Sequence, residues 1–395
     1  MSAPVLPRLR RRLSRMSREL SKRRRQFQDT PRLLVEHAAW LEPGDWVPVP
    51  ANPGVWYHAT AKLPQAVVAG GGKGATKLWP AANGAALSER VRSGVLTGAF
   101  RVQGLRQRGT ARVPPVEPSQ GNATAVVKAN GNRADLVALE PEAGRALRLA
   151  RPGTYDHEYV EARHRFQQYL PAPGFSVSDD GAVLVEDWAD GQLLSGLAAE
   201  RQVPVAAEVL DRYADLVATE RAADEGTVWQ ALPRLLEQVR LPEVLREPLA
   251  DARVQRLLAS GLLTPSQGDL ALVNVLADEH RSSWQVVDFD AAGCLPVWWD
   301  AVGLAAKFAG VVDDDARRAL SEALDRVWAA AGLDDAAGMS DHHWAALAAV
   351  KGPWSRSTQA SHLSGNGQFI EPDPDDFARR LHQQARKVKE QLARR

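Results

Sequence analysis

Three oxygen-bearing side chains stand at a spacing that suits phosphoryl transfer. Asp269 is followed five residues later by Asn274, and Asp288 comes 14 residues further on, after a predicted turn at 278–283. An Asp on a loop can take the proton of an attacking hydroxyl, and an amide with a second carboxylate can hold a metal against nucleotide phosphates. Hard oxygen ligands of this kind suit Mg²⁺. Together, the two motifs on a predicted hairpin indicate metal-assisted transfer of a phosphoryl group.

The elements that must position these residues change from strands to helices along the chain. Short apolar runs separated by turn residues predict three antiparallel strands at 125–127, 136–139 and 146–149, then a helix within 155–169 and a strand at 182–185. Beyond Gly191 the apolar spacing becomes helical, apart from a β-like interruption at 272–289. The predicted helices are 204–223, 227–239, 243–260, 297–309, 313–331 and 340–350.

On these motifs the sequence resembles the aminoglycoside phosphotransferase/choline kinase-like family over roughly residues 123–305. The run Gln267-Gly268-Asp269, with Asn274 five residues later, is similar to the family's H-G-D-x-x-x-x-N loop, with Gln in place of His. The resemblance implies an α+β, bilobal protein-kinase-like fold, with a small antiparallel-sheet N-lobe, a mainly helical C-lobe and an N-terminal extension. It also implies ATP and Mg²⁺ as cofactors.

The family's site implies a role for each matching residue in the C-lobe. Asp269 would be the catalytic base, and Asn274 and Asp288 would ligate Mg²⁺. Asp290 closes the Asp288-Phe289-Asp290 motif and is a further metal candidate. Asp300 corresponds to the aspartate at the start of the following helix, where it would brace the loop.

In the small lobe the resemblance implies a nucleotide site. Arg148 occupies the third-strand position where kinases carry a lysine to the phosphates, with Glu161 as its helix partner and Glu158 as the runner-up. Gly131 and Asn132 would form the phosphate-covering loop, and the backbone from Glu186 to Trp188 would bind adenine. The structural alternative is that Arg148 is an exposed strand residue and the acids form a solvated helix face.

The acceptor is expected to be a hydroxyl of a small molecule, most plausibly a sugar, a glycan or an aminoglycoside-like compound. Four tryptophans of the C-lobe offer flat faces for a sugar ring or, equally, core packing: Trp298, Trp299, Trp344 and Trp354. Four acids would suit a cationic acceptor, or lie as solvated loop charges: Asp334, Asp335, Asp341 and Glu371. The alternative function is a catalytically inactive kinase-like adaptor that binds a partner or a membrane through its basic termini.

The composition is that of an ordinary soluble globular protein. The 395 residues include 49 Lys and Arg against 48 Asp and Glu, and 45% are hydrophobic, which excludes disorder over the whole length. Cys294 is the only cysteine, so no internal disulfide can form and a reducing cytoplasm is expected. No apolar stretch is long enough to predict a spanning helix or a secretory signal.

The chain is expected to contain four segments. Residues 1–30 form a basic amphipathic helix, which would contact an anionic membrane or an acidic partner, or pack on its own protein. Residues 31–115 are an N-terminal extension of unclear fold, 116–187 the N-lobe, and 188–395 the C-lobe with the acceptor site. A nucleic-acid partner is not expected, because the basic helices are the only feature that would support one.

Overall fold

The computed structural model describes the chain in part and divides it into two compact units. The sheet unit comprises Met1–Asp156 and Pro173–Trp188, and the helical unit comprises His157–Ala172 and Ala189–Arg395. The basic helix predicted at 1–30 and the predicted phosphate loop at Gly131 and Asn132 lie outside the described residues. The described ranges are 47–48, 55–59, 64–68, 116–117, 125–129, 136–140, 144–189, 191–223, 229, 231–278, 283–310, 313–362 and 373–393.

The sheet unit is built on antiparallel strands. They are β1 (Val47–Pro48), β2 (Val55–Ala59), β3 (Pro64–Val68), β4 (Val116–Glu117), β5 (Ala125–Ala129), β6 (Leu136–Glu140), β7 (Arg145–Leu149), β8 (Phe175–Val177) and β9 (Val183–Asp187). Within the described residues, one sheet has the order β2-β3-β5-β6-β7-β9-β8, and β1 pairs separately with β4. The three strands predicted from residue 125 are confirmed. β2 and β3, from the extension of unclear fold, join the same sheet.

Alternation along β7 explains which side chains face the core. Leu147 and Leu149 are buried on one face of the strand, as the period of two along a strand requires. Arg148 lies between them on the opposite face and pairs in register with Leu184 of β9. The strand therefore presents its arginine on the same face as Glu186, two residues along β9.

The helical unit contains most of the helices and several short strands. Its described helices are α1 (His157–Gln167), α2 (Ala199–Glu220), α3 (Ala231–Gln238), α4 (Glu243–Ala250), α5 (Ala252–Ala259), α6 (Trp298–Ala305), α7 (Asp314–Ala331), α8 (Asp341–His362) and α9 (Pro374–Leu392). Its described strands are β10 (Gln192–Leu193), β11 (Ala222–Ala223), β12 (Leu262–Ser266), β13 (Val275–Ala277), β14 (Trp284–Val286) and β15 (Gly293–Pro296). The α+β class predicted from the sequence is confirmed.

Apolar faces at helical spacing hold this unit together. α2 packs against α7, and α8 packs against both α6 and α9. Asp313 caps the start of α7, where its carboxylate accepts the N–H of Ala316 at 2.8 Å, and Gly332 caps its end. Such caps satisfy backbone groups that the helix itself leaves without partners.

The last helix docks on the unit, as its apolar stripe predicts. Phe377, Leu381 and Val388 are buried. Near the end of α9, the side-chain amide of Gln391 donates to the carbonyls of Ala306 and Ala309, at 2.7 and 2.9 Å. These carbonyls follow the end of α6, so Gln391 joins α9 to the segment that leaves α6.

Two details of the helical unit differ from the sequence-based expectations. The single helix predicted over 243–260 is two helices, because the backbone is extended at Asp251, whose side chain caps a new helix by accepting the N–H of Arg253. The strands β12 and β15 were not expected. One precedes and the other follows the predicted site residues in sequence, and the two strands pair with each other. None of the helices in the described ranges is both long and apolar enough to cross a bilayer.

Candidate active site

Asp269 lies on a loop whose backbone N–H groups donate to a buried carboxylate. This segment, residues 267–274, follows β12 and leads into β13; we call it the Asp269 loop. Asp300, at the start of α6, is fully buried and accepts the backbone N–H of Gln267 at 2.7 Å. It also accepts the N–H groups of Gly268, at 3.1 Å, and Leu270, at 3.3 Å. Asp300 therefore braces the loop, as predicted.

Gly268 lets the loop pass close to the segment after Asp288. Its φ of +91° lies in the left-handed region that side chains disfavour. A Cβ built on Gly268 would lie 2.1 Å from the carbonyl oxygen of Ala291. No larger residue fits here without moving backbone.

Gln267 ties the loop to the strand end that carries Asp288. Its side-chain nitrogen donates to the carbonyls of Val287, at 3.0 Å, and Asp288. Its side-chain oxygen accepts the N–H of Asp269 at 2.8 Å. Because an amide has both a donor and an acceptor, Gln267 bridges the two segments from the position of the family's histidine.

Asn274 is oriented by the loop itself. Its side-chain nitrogen donates to the carbonyl of Asp269 at 2.8 Å, and its backbone carbonyl accepts the N–H of Val287 at 2.9 Å. Val275 and Val286 then pair across the antiparallel hairpin of β13 and β14. The predicted hairpin is thus confirmed, and it places Asn274 beside the residue that precedes Asp288.

Asp288 has an unusual backbone conformation. Its φ and ψ are both 63°, and it is the one non-glycine with positive φ in the described ranges. Residues held in this region carry strain and cluster at functional sites. Asp290 follows in a short 3-10 helix and is buried.

Phe289, between these two acids, is clamped by α1. Its ring lies edge-on to Phe166, with centroids 5.3 Å apart, and the guanidinium of Arg163 sits 4.5 Å from its centroid. Arg163 is fully buried. Nothing in the sequence distinguishes Arg163, because a lone arginine on an amphipathic helix gives no signal.

The carboxylate of Asp269 remains available for chemistry. It faces solvent and, among the described residues, accepts no hydrogen bond. Partial desolvation by the surrounding atoms raises the pKa of Asp269, while Lys351 opposes the shift and Asp300 adds to it. A raised pKa makes a carboxylate a better proton acceptor.

The donors around the hairpin suit Mg²⁺. Because the amide nitrogen of Asn274 is committed to a carbonyl, its amide oxygen is the atom left to ligate a metal. In the part of the chain that the structure describes, no three His, Cys, Asp or Glu side chains form a metal cage. Mg²⁺ is commonly held by one or two protein oxygens together with waters and substrate phosphates. Asn274 and Asp288 fit that pattern.

In the sheet unit, Arg148 is paired with a carboxylate. Its Nε donates to the side chain of Glu186, and both residues are buried. Arg148 is therefore not the exposed strand residue of the structural alternative. The backbone N–H of Trp188 donates to the carbonyl of Gly144 at 2.8 Å.

Glu161, in the helical unit, is half-exposed and lies near two residues of its own helix. His157 and Arg165 are 3.7 and 3.8 Å from its carboxylate oxygens. Its expected pairing with Arg148 stays a prediction, and so does the nucleotide role of Glu186 and Trp188.

The tryptophans considered for an acceptor site form core instead. None of the four is more than 2% exposed: Trp298, Trp299, Trp344 and Trp354. Trp299 packs at 5.3 Å from the half-buried Trp229, and its indole N–H donates to the carbonyl of Gly268 at 2.8 Å. Trp299 thus supports the Asp269 loop, a role that its sequence position does not reveal.

No family model matches the sequence, and no curated protein matches it. Several solved phosphotransferases are similar. An aminoglycoside phosphotransferase from Streptomyces rimosus, in complex with ADP and streptomycin, is 18% identical over 56% of this chain and 92% of that chain, with a TM-score of 0.32. A macrolide 2'-phosphotransferase from Brachybacterium faecium is 17% identical over 65% and 91%, with a TM-score of 0.38. A choline kinase from Streptococcus pneumoniae is 12% identical over 68% and 92%, with a TM-score of 0.38.

Proposed function

We propose that this chain is an ATP- and Mg²⁺-dependent phosphotransferase that moves the γ-phosphoryl group to a hydroxyl of a small molecule. One observation carries the proposal: Gln267 ties the Asp269 loop to the backbone of Asp288, and Asp300 ties the same loop to the start of α6. Positioning a base and metal ligands is most of what a protein contributes to phosphoryl transfer. A loop held by this many buried hydrogen bonds is suited to that task.

Each residue of the locked pair of segments has a chemical role in this proposal. Asp269 accepts the proton of the acceptor hydroxyl as the hydroxyl oxygen bonds to the γ-phosphorus. The bond from that phosphorus to the bridging oxygen breaks, and ADP leaves. Asn274 and Asp288 would hold Mg²⁺, with Asp290 as the further candidate; bound Mg²⁺ supplies charge neutralisation on the phosphates. Asp300 and Gln267 keep these groups in place.

For the nucleotide we propose that Arg148 contacts the phosphates. A guanidinium keeps its charge, and its planar set of donors suits phosphate oxygens. Glu161 stays the proposed helix partner. The backbone from Glu186 to Trp188 would bind the base, and Gly131 with Asn132 would cover the phosphates.

The acceptor we propose is a sugar, a glycan or an aminoglycoside-like compound. Two of the four acids that would attract a cationic acceptor already lie next to arginine side chains of this chain. Asp335 pairs with Arg256, and Asp341 lies 3.7 Å from Arg317 while accepting the N–H of Gly310. This favours a neutral sugar or glycan over a polycation. Contact of residues 1–30 with an anionic membrane or an acidic partner is part of the proposal, as is a cytoplasmic location.

Calorimetric titration with ATP, with and without Mg²⁺, tests the nucleotide site. We expect Mg²⁺-dependent binding that Asp288→Asn weakens and that Asp314→Asn, at an exposed helix start, leaves unchanged. Asp269→Ala should keep nucleotide binding and lose transfer, because a base is not needed in the ground state. Absence of ATP binding in every condition would favour the catalytically inactive adaptor instead.

A further inference from the structure

A buried lysine to which the proposed reaction gives no role lies against the residues that hold the Asp269 loop. Lys351 belongs to α8, and its side chain is only 10% exposed. Lysines are rarely buried, because removing an ammonium from water is costly unless acceptors and anions surround it. Burial lowers the pKa of Lys351, and the charge of Asp300 opposes that shift.

The ammonium contacts the two residues that anchor the loop. Nζ of Lys351 lies 3.7 Å from Oδ1 of Asp300 and donates to the backbone carbonyl of Trp299 at 3.3 Å. It also lies 5.2 Å from the centroid of the Trp299 ring. Asp300 receives three backbone N–H groups of the loop, and Trp299 donates to the carbonyl of Gly268. Every anchor of the loop on α6 is therefore in contact with one ammonium.

Gly303 provides the space for this ammonium. A Cβ built on Gly303 would lie 2.8 Å from Nζ of Lys351 and 2.9 Å from the carbonyl oxygen of Leu270. Only the absence of a side chain at this position of α6 lets both the lysine and the loop approach the helix. The charged groups that act on the ammonium are Asp300 and Asp269, which favour its charged form, and Lys307, which opposes it.

We propose that Lys351 is a positioning residue for the transfer reaction. Its positive charge lies beside the buried carboxylate of Asp300 and keeps that carboxylate directed at the loop, while its ammonium holds the backbone of Trp299. Through these two residues it fixes the backbone that carries Asp269. The inference rests on the proposed function for its kinetic consequence, whereas the tether can be measured without turnover.

Hydrogen exchange measured by mass spectrometry tests the tether on the full chain. Two variants disturb the contact: Lys351→Met deletes the charge, and Gly303→Ala puts a Cβ against both the ammonium and the carbonyl of Leu270. Both should raise amide exchange in the Asp269 loop about tenfold or more, because its anchors loosen. Lys387→Met, an exposed lysine of α9, and Gly352→Ala, whose Cβ would meet only the side chain of Gln384 at 3.4 Å, should not. Unchanged exchange in both test variants would overturn the tether.

Steady-state hydrolysis of ATP, with water as the acceptor, tests the kinetic part. Lys351→Met should lower kcat about ten- to a hundredfold while KM for ATP changes less than about twofold, as expected for a misplaced base. If Lys351→Met shows faster amide exchange but an unchanged kcat, Lys351 has no role in the reaction and its contacts are only structural. If the wild-type protein neither binds nor turns over ATP, the proposed function is refuted. Amide exchange in the Asp269 loop would still show whether Lys351 holds that loop. If Lys351→Met does not fold, Lys351→Gln, which also deletes the charge, gives both measurements.

Discussion

Asp300→Asn replaces one oxygen of a buried carboxylate by an NH₂ group, and every partner of that carboxylate is a donor. Oδ2 accepts the N–H of Gln267 and that of Gly268, and Oδ1 accepts the N–H of Leu270 at 3.3 Å. The ammonium of Lys351 also faces Oδ1. Whichever way the new amide turns, its nitrogen faces a donor. At least one backbone N–H therefore loses its acceptor, and the ammonium loses its counter-charge.

The magnitude follows from these losses. A buried donor left without an acceptor costs about 1–3 kcal/mol, and breaking a buried ion pair from one side costs about 3–5 kcal/mol. Because the two losses share the same atoms, we expect about 4 kcal/mol in the free energy of unfolding rather than their full sum. For a unit of this size that corresponds to a fall of roughly 8–16 °C in Tm.

Chemical denaturation followed by tryptophan fluorescence measures the change. The matched control is Asp314→Asn, at the start of α7, where the 94% exposed carboxylate pairs with Arg317 and the effect should stay below about 1 kcal/mol. Adding Lys351→Met to Asp300→Asn should cost less than the separate changes combined, because it removes the uncompensated cation. A loss below about 1 kcal/mol for Asp300→Asn itself would show that the carboxylate does not brace the loop.

Three further substitutions address the loop. Asp269→Asn should lower turnover by about 10²–10⁴ without lowering Tm, since its carboxylate accepts no hydrogen bond from the described residues; a lower Tm would contradict this. In the wild type, the pKa of Asp269 is raised above the usual value of about 3.9, so kcat/KM should fall with decreasing pH as the carboxylate is protonated. A kcat/KM profile that stays flat down to about pH 4 would contradict this. Gln267→Glu keeps the acceptor but loses both donated bonds, so kcat should fall about tenfold or more, whereas the exposed Gln383→Glu should match wild type in the same assay. Gly268→Ala should unfold at lower denaturant than Gly332→Ala, which also has positive φ but open space around its Cβ, and equal midpoints would show that the contact at 2.1 Å relaxes freely.

The sequence predicted the parts of this molecule that have a local pattern. Alternating and helical periodicities located β5 to β7, α1 and the later helices, and polar residues at a fixed spacing located the hairpin with Asn274 and Asp288. The bracing role of Asp300 was implied by the family resemblance. What the sequence could not supply were contacts between distant positions. Lys351 and Gly303 lie far apart in sequence and carry no motif, and only packing brings their helices together.

Burial was the other quantity that periodicity could not supply. A tryptophan on an amphipathic helix suits a sugar platform and a core equally well, and the structure places Trp298, Trp299, Trp344 and Trp354 in the core. The break at Asp251 was missed for a related reason. Two short amphipathic helices in succession give the same apolar spacing as one long helix, and only the cap at Asp251 separates them.

The docking of α9 has a consequence for how the protein is made. α6 carries Asp300 at its start, and the carbonyls that follow its end are satisfied by Gln391, within the last turn of α9. Protein chains are synthesised from the N-terminus, and domains fold as units. A nascent chain that already contains every residue of the Asp269 loop therefore still lacks the helix that completes α6. The arrangement described here, with Gln391 bonded to both carbonyls, is therefore complete only after residue 391 has left the ribosome.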